Sequence, residues 1–99
     1  MASKPFHFHP EARDEFREAA RWYRARDARA SSEFRVTVSE TIREIAAAPR
    51  RWAKYLHGTR RFVMQRFPFS VVYLDDPELV TIIAIAHAKR KSGYWKKRL

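Results

Sequence analysis

Apolar residues recur along this chain with two periods, and the change from one to the other divides it. Phe6, His7 and Phe8 alternate briefly, as a short strand does, and stop at Pro10. Proline suits the first turn of a helix, where no amide donor is needed. From Glu11 to about Arg26, Ala12, Phe16, Ala19, Ala20 and Tyr23 fall at helical spacing with charges between them, which predicts an amphipathic helix. Asp27 is placed to cap a second helix, in which Phe34, Val38, Ile42 and Ile45 form the apolar stripe until Pro49 ends it. Together they predict an αα-hairpin.

Beyond Pro49 the texture becomes β-branched and aromatic. RRFVMQRF (60–67), FSVVYL (69–74) and LVTIIAIAH (79–87) read as strands, parted by a turn at Pro68 and by the DDPE turn at 75–78. The last is apolar on both faces, which predicts a central position in the sheet. The order β-α-α-β-β-β predicts an α+β fold: an N-terminal strand, an αα-hairpin, then a three-stranded antiparallel meander, with the helices on one face of a small sheet. At 99 residues the chain forms one domain, 1–99.

Charge sharpens this picture. The net charge is +10, unevenly spread: residues 1–49 hold nine Lys/Arg against eight Asp/Glu, whereas residues 50–99 hold twelve against three. Those three acids, Asp75, Asp76 and Glu78, share one turn. Such asymmetry is expected where the C-terminal half meets an anionic partner, nucleic acid or an acidic protein segment. In a meander the closing strand returns to the Pro68 end, so His87 is expected beside Arg66, with Lys89, Arg90 and Lys91 following. Arg60 and Arg61 fall toward the acidic end, and Arg61 joins the candidates for partner contact.

Other chemistries find little support. No cysteine is present, so no disulfide or thiolate site is expected. His7 and His9 share one face of the first strand but lack a third ligand at suitable spacing, so no metal is expected. There is no Gly-rich phosphate loop and no basis for a Ser-His-Asp triad, hence no small-molecule cofactor. The N-terminal MASKPFHFHP lacks the apolar core of a secretory signal and no long apolar run follows, so a cytoplasmic protein without membrane contact is expected.

The segments EAARWYRARDARASSEF…IREIAAAP, RRFVMQRFPFSVVYLDD and IIAIAHAKRKSGYWKKR, in this order and spacing, resemble the RelE/ParE superfamily of bacterial type II toxin–antitoxin toxins. The resemblance spans nearly the whole chain. It implies a compact, growth-inhibiting toxin, of the kind that serves plasmid stabilization. A cognate antitoxin with an acidic or apolar wrapping segment holds it, and the pair represses its own operon. The implied target is either ribosome-bound mRNA, cleaved by a metal-independent mRNA interferase, or DNA gyrase, inhibited by binding.

Metal-free RNA cleavage needs a base for the 2′-hydroxyl, cations around the phosphate and a proton donor for the leaving oxygen. Read this way, His87, Arg66, Lys89 and Arg90 are the candidate catalytic group, and Arg61, Lys91, Tyr94, Trp95 and Arg98 the candidate target-binding group. Tyr94 and Trp95 are suited to stacking on a base. Lys89 and Trp95 stand for a family arginine and tyrosine. The strand lysines of mRNA-cleaving members are absent, Phe62 to Gln65 standing there instead, and Ser70 takes the place of an arginine. An enzyme and a binding inhibitor therefore both stay open, with a non-toxic basic RNA-binding module as the alternative.

Overall fold

The structure, a computed structural model, describes residues 3–99. Met1 and Ala2, part of the stretch expected to lack an export signal, lie outside the described residues. Strand β1 (Phe6–Phe8) leads into helix α1 (Pro10–Arg26) and helix α2 (Ala28–Ala47). Strands β2 (Ala53–Lys54), β3 (Arg60–Val63), β4 (Phe69–Asp75) and β5 (Val80–His87) follow. The sheet order is β1-β5-β4-β3-β2. This is the expected α+β arrangement, with β5 central between β1, which it meets in parallel, and β4, which it meets antiparallel.

Local chemistry explains the helix boundaries. Pro10 opens α1, and the His9 ring accepts the Glu11 amide at its Nδ1, 3.1 Å away. Asp27 serves both helices: its amide donates to the Tyr23 carbonyl (2.7 Å), ending α1, and its carboxylate accepts the Arg29 amide (2.9 Å), starting α2. Ser31 then pins the two helices together, its buried hydroxyl donating to the Ala20 carbonyl.

The helices cover one face of the sheet through a core centred on Phe34, which is fully buried against Phe16, Tyr23, Phe67 and Phe69. The other face carries a smaller cluster of Val72, Ile83, Ala84 and Trp95. A bulge feeds both: Val72 pairs with Ala84 and Tyr73 with Ile82, leaving Ile83 as the extra residue. Ile82 thus joins the helix-side core and Ile83 the opposite cluster. A strand apolar on both sides is the outcome, as its sequence predicts.

Two expectations about strands are corrected. The strand expected over 60–67 ends at Val63, because Met64 and Phe67, three apart, both turn into the core while the chain bends toward Pro68. The Met64 amide closes that bend on the Phe69 carbonyl at 3.0 Å. Strand β2 is additional. It is two exposed residues held to β3 by backbone pairing, so it leaves no apolar pattern to read.

Tyr73 is buried completely and donates its hydroxyl to the Pro49 carbonyl at 2.6 Å, tying α2's exit to the sheet. Burial pushes its phenol up to about 12; nearby Arg60 opposes this and Asp75 adds to it. Above the ordinary value of 10.0 the unfolded chain releases a proton that the folded one keeps. Stability contributed here is therefore complete below about pH 10 and is lost as pH rises through about 12. Denaturant titrations across that range are expected to show a fall in unfolding free energy, and Tyr73→Phe is expected to flatten it. An unchanged pH slope in the variant would contradict this assignment.

Candidate target-binding surface

The acidic end of the sheet is neutralised from within. Lys4 bonds Asp75 at 2.6 Å and the Asp76 carbonyl at 2.8 Å, and Arg50 lies 4.0 Å from Asp75. The opposite end has no such compensation. There β5 finishes with His87 paired to Phe69, and the Ala88 amide donates to the Pro68 carbonyl at 2.8 Å. The closing strand thus delivers Lys89, Arg90 and Lys91 beside the Pro68 bend; all three are exposed, and none makes an ion pair among the described residues.

His87 stands edge-on to Phe69, ring centroids 5.0 Å apart, and its Nδ1 accepts the Lys89 amide at 3.0 Å. An imidazole nitrogen that accepts carries no proton, so the neutral ring is protonated at Nε2. Nε2 is then a donor. His87 and Arg90 form the shared rim of two shallow concavities. One lies between α1 and the end of β5, with Glu15, Trp22, Phe69 and Lys89; the other lies over the second sheet face, with Arg61, Ser70, Lys91 and Ser92.

The candidates divide in space. Arg61, expected near the acidic end, pairs there by its backbone with Val72, but its guanidinium lies 4.0 Å over the Tyr55 ring and reaches the His87 concavity. Arg66 does not join His87. The bend after Val63 aims it at α2, where it pairs with Glu33 at 2.7 Å. Arg90 lies 3.8 Å over the Tyr94 ring. That ring is partly buried and its hydroxyl donates to Glu15, while Arg90 is exposed. Burial, then the bond to Glu15, holds the Tyr94 phenol far above its ordinary value.

Trp95 and Arg98, expected to meet the target, are occupied elsewhere. Trp95 is 1% exposed, packed near Tyr55 and His57. Gly93 makes this possible: its φ of +81° is the left-handed turn that brings the tail back onto the sheet. Arg98 donates to both oxygens of Glu15, at 2.8 and 2.9 Å, and to the Ile83 carbonyl at 3.0 Å, with Glu11 3.4 Å away. Burial works against its charge, but hydrogen bonding and attraction to Glu15 outweigh that and raise its affinity for the proton.

Glu15 was absent from the candidates and is the hub of this region. Beyond Phe8, β1 no longer covers the edge of β5. Glu15 accepts the Ile85 amide, which no strand pairs there, at 3.0 Å, while Arg98 satisfies the Ile83 carbonyl. One signal could have found it: Ala12, Glu15 and Ala19 share a helical face, so a carboxylate stands inside an apolar stripe. Its partners lie 70 to 83 residues away, beyond any spacing rule.

These elements define a class: a small basic α+β domain, helices on one sheet face, with a cationic strand end and a tail folded over the other face. Among the described residues no helix is long and apolar enough to cross a membrane. Residues 6–92 match the family described as ParE toxin of type II toxin-antitoxin system, parDE. The chain therefore belongs to the ParE toxin family. Among solved structures it is similar to a chain from the chromosomal ParDE TA system of P. aeruginosa, with a TM-score of 0.75 at 13% identity, covering 86% of this chain and 96% of that one. That likeness establishes the shared fold. No curated protein matches the sequence.

Proposed function

We propose that this toxin acts by holding a large target, DNA gyrase, through the cationic end of its sheet, without cutting RNA. The observation carrying this reading is the bond from the Lys89 amide to His87 Nδ1. It leaves Nε2 of the neutral ring carrying the proton, a donor in place of a general base. The cations nearby suit anion binding: Arg61, Arg90 and Lys91 line one concavity with His87, Lys89 and Arg90 the other, while Arg66 is diverted to Glu33. Cleavage by this set would lack both a free base and part of the phosphate clamp. Neutralisation falls to a cognate antitoxin in the cytoplasm, whose acidic segment complements the same uncompensated charge.

The test uses purified full-length protein in two assays: gyrase supercoiling of a relaxed plasmid, and cleavage of message on programmed ribosomes. Supercoiling is expected to be inhibited with the message intact. Lys89→Gln/Arg90→Gln/Lys91→Gln, changes confined to exposed side chains, is expected to weaken inhibition at least tenfold while leaving the denaturation midpoint unchanged. Message cut by the wild type and spared by His87→Gln would replace this reading with the nuclease. Induction without any effect on growth would remove the toxin reading altogether.

A further inference from the structure

Most charges on the two helices sort by sign, Arg26 and Arg29 excepted. At about 100° per residue, Arg13, Arg17, Arg21 and Arg24 fall within an arc of about 80° along α1. Glu11, Asp14, Glu15 and Glu18 occupy a separate arc on the other side. On α2, Ala28, Ser32, Arg35, Ser39 and Arg43 share one stripe of similar width, and Glu33, Glu40 and Glu44 another. The two arginine stripes adjoin. Arg24 and Arg35 line one notch with Ala28, Ser31 and Ser32, at the top of the groove between the helices.

All six arginines of these stripes are exposed. The ion pairs among the described residues draw on Lys4, Arg50, Arg66 and Arg98, so none of the six is neutralised. Scattered solvated arginines normally alternate with acids at i+3 or i+4, which stabilises a helix. Here Arg13, Arg17 and Arg21 follow one another at i+4, a mildly destabilising like-charge arrangement that an anionic ligand would relieve, and although Asp14, Glu18 and Glu40 stand three residues before Arg17, Arg21 and Arg43, none pairs with them among the described residues.

We propose that this groove is a second binding surface, separate from the strand end, for the phosphate backbone of duplex DNA. Planar guanidinium groups pair with phosphate oxygens through two parallel hydrogen bonds, and serine hydroxyls supply further donors. The α2 stripe holds only alanine, serine and arginine, so it lacks the apolar anchors that seat a peptide helix. Nor does it read bases. Trp22, the exposed aromatic of α1, lies outside the arginine arc and carries Arg26 at 3.6 Å over its ring. From Arg13 to Arg24 the stripe is about 16 Å long, roughly half a duplex turn.

Counterion release tests this directly. Binding of the full-length protein to a labelled 25-base-pair duplex of arbitrary sequence is followed by anisotropy over a salt series. Each phosphate contact contributes about 0.9 to the slope of log K against log salt. Arg17→Gln/Arg21→Gln/Arg24→Gln/Arg35→Gln is expected to reduce that slope by about 3 to 4. The four lysine replacements are expected to preserve it. The half-sets Arg17→Gln/Arg21→Gln and Arg24→Gln/Arg35→Gln, each expected to remove about 2, serve if the full variant does not fold. An unchanged slope overturns the proposal, as does loss of slope confined to the Lys89, Arg90, Lys91 variant, a preference for single-stranded RNA, or no binding by the wild type. Because the strand-end variant is scored separately, failure here leaves the gyrase reading standing.

Discussion

Glu15→Ala is expected to lower the unfolding free energy by about 3–5 kcal/mol, a large fraction of the ~5–15 kcal/mol typical of a folded domain. The carboxylate receives the Arg98 guanidinium, the Tyr94 hydroxyl and the Ile85 amide at once. Side-chain exposures of 9% for Arg98 and 15% for Glu15 place the pair largely out of water. Removing the acid strands a cation and an edge amide there, and the cost of those unpaired groups dominates. Removing the cation alone harms less, because a carboxylate still accepts from Tyr94 and Ile85. Arg98→Met is thus expected to cost less than Glu15→Ala, and the double variant less than the sum of the singles. Urea titrations of the four proteins decide it; additive losses would mean that the pair is not coupled.

Trp95→Ala is expected to have an effect of the same size, about 3–5 kcal/mol, by emptying the centre of the second-face cluster. Val72, Ile83 and Ala84 would lose their cover, and the tail its anchor. Trp95→Phe fills most of that volume and is expected to retain the fold, together with growth inhibition. The comparison separates two roles. A tryptophan that stacked on a target would leave the denaturation midpoint unmoved when truncated and would lose inhibition alone; a large fall in midpoint, rescued by phenylalanine, identifies a packing residue.

Part of the candidate surface was legible because its cause is local. His87, Lys89, Arg90 and Lys91 follow a strand whose apolar character marks it as central, and a meander returns that strand's end to the Pro68 bend. The Ala88 amide bonded to the Pro68 carbonyl is that return made concrete. Arg66 was misjudged because Met64 and Phe67 end β3 early and swing the intervening side chain toward Glu33. Trp95 and Arg98 carry the same residue types as a target-binding tail would. Nothing in their spacing discloses that Glu15 and the second face of the sheet claim them.

By itself the sequence determined the αα-hairpin, the cap of α2 at Asp27, strands β4 and β5, the α+β class and the polarity of charge. Each follows from interactions within a few residues, where period, capping chemistry and turn preference act directly. Only the tertiary structure decided which cations are free. Arg98 and Arg66 met carboxylates distant in sequence, Arg61 reached the His87 concavity across Tyr55, and the His87 ring took its tautomer from the turn after β5. A charge becomes available or occupied according to what packs beside it, and that is set by contacts between segments far apart along the chain.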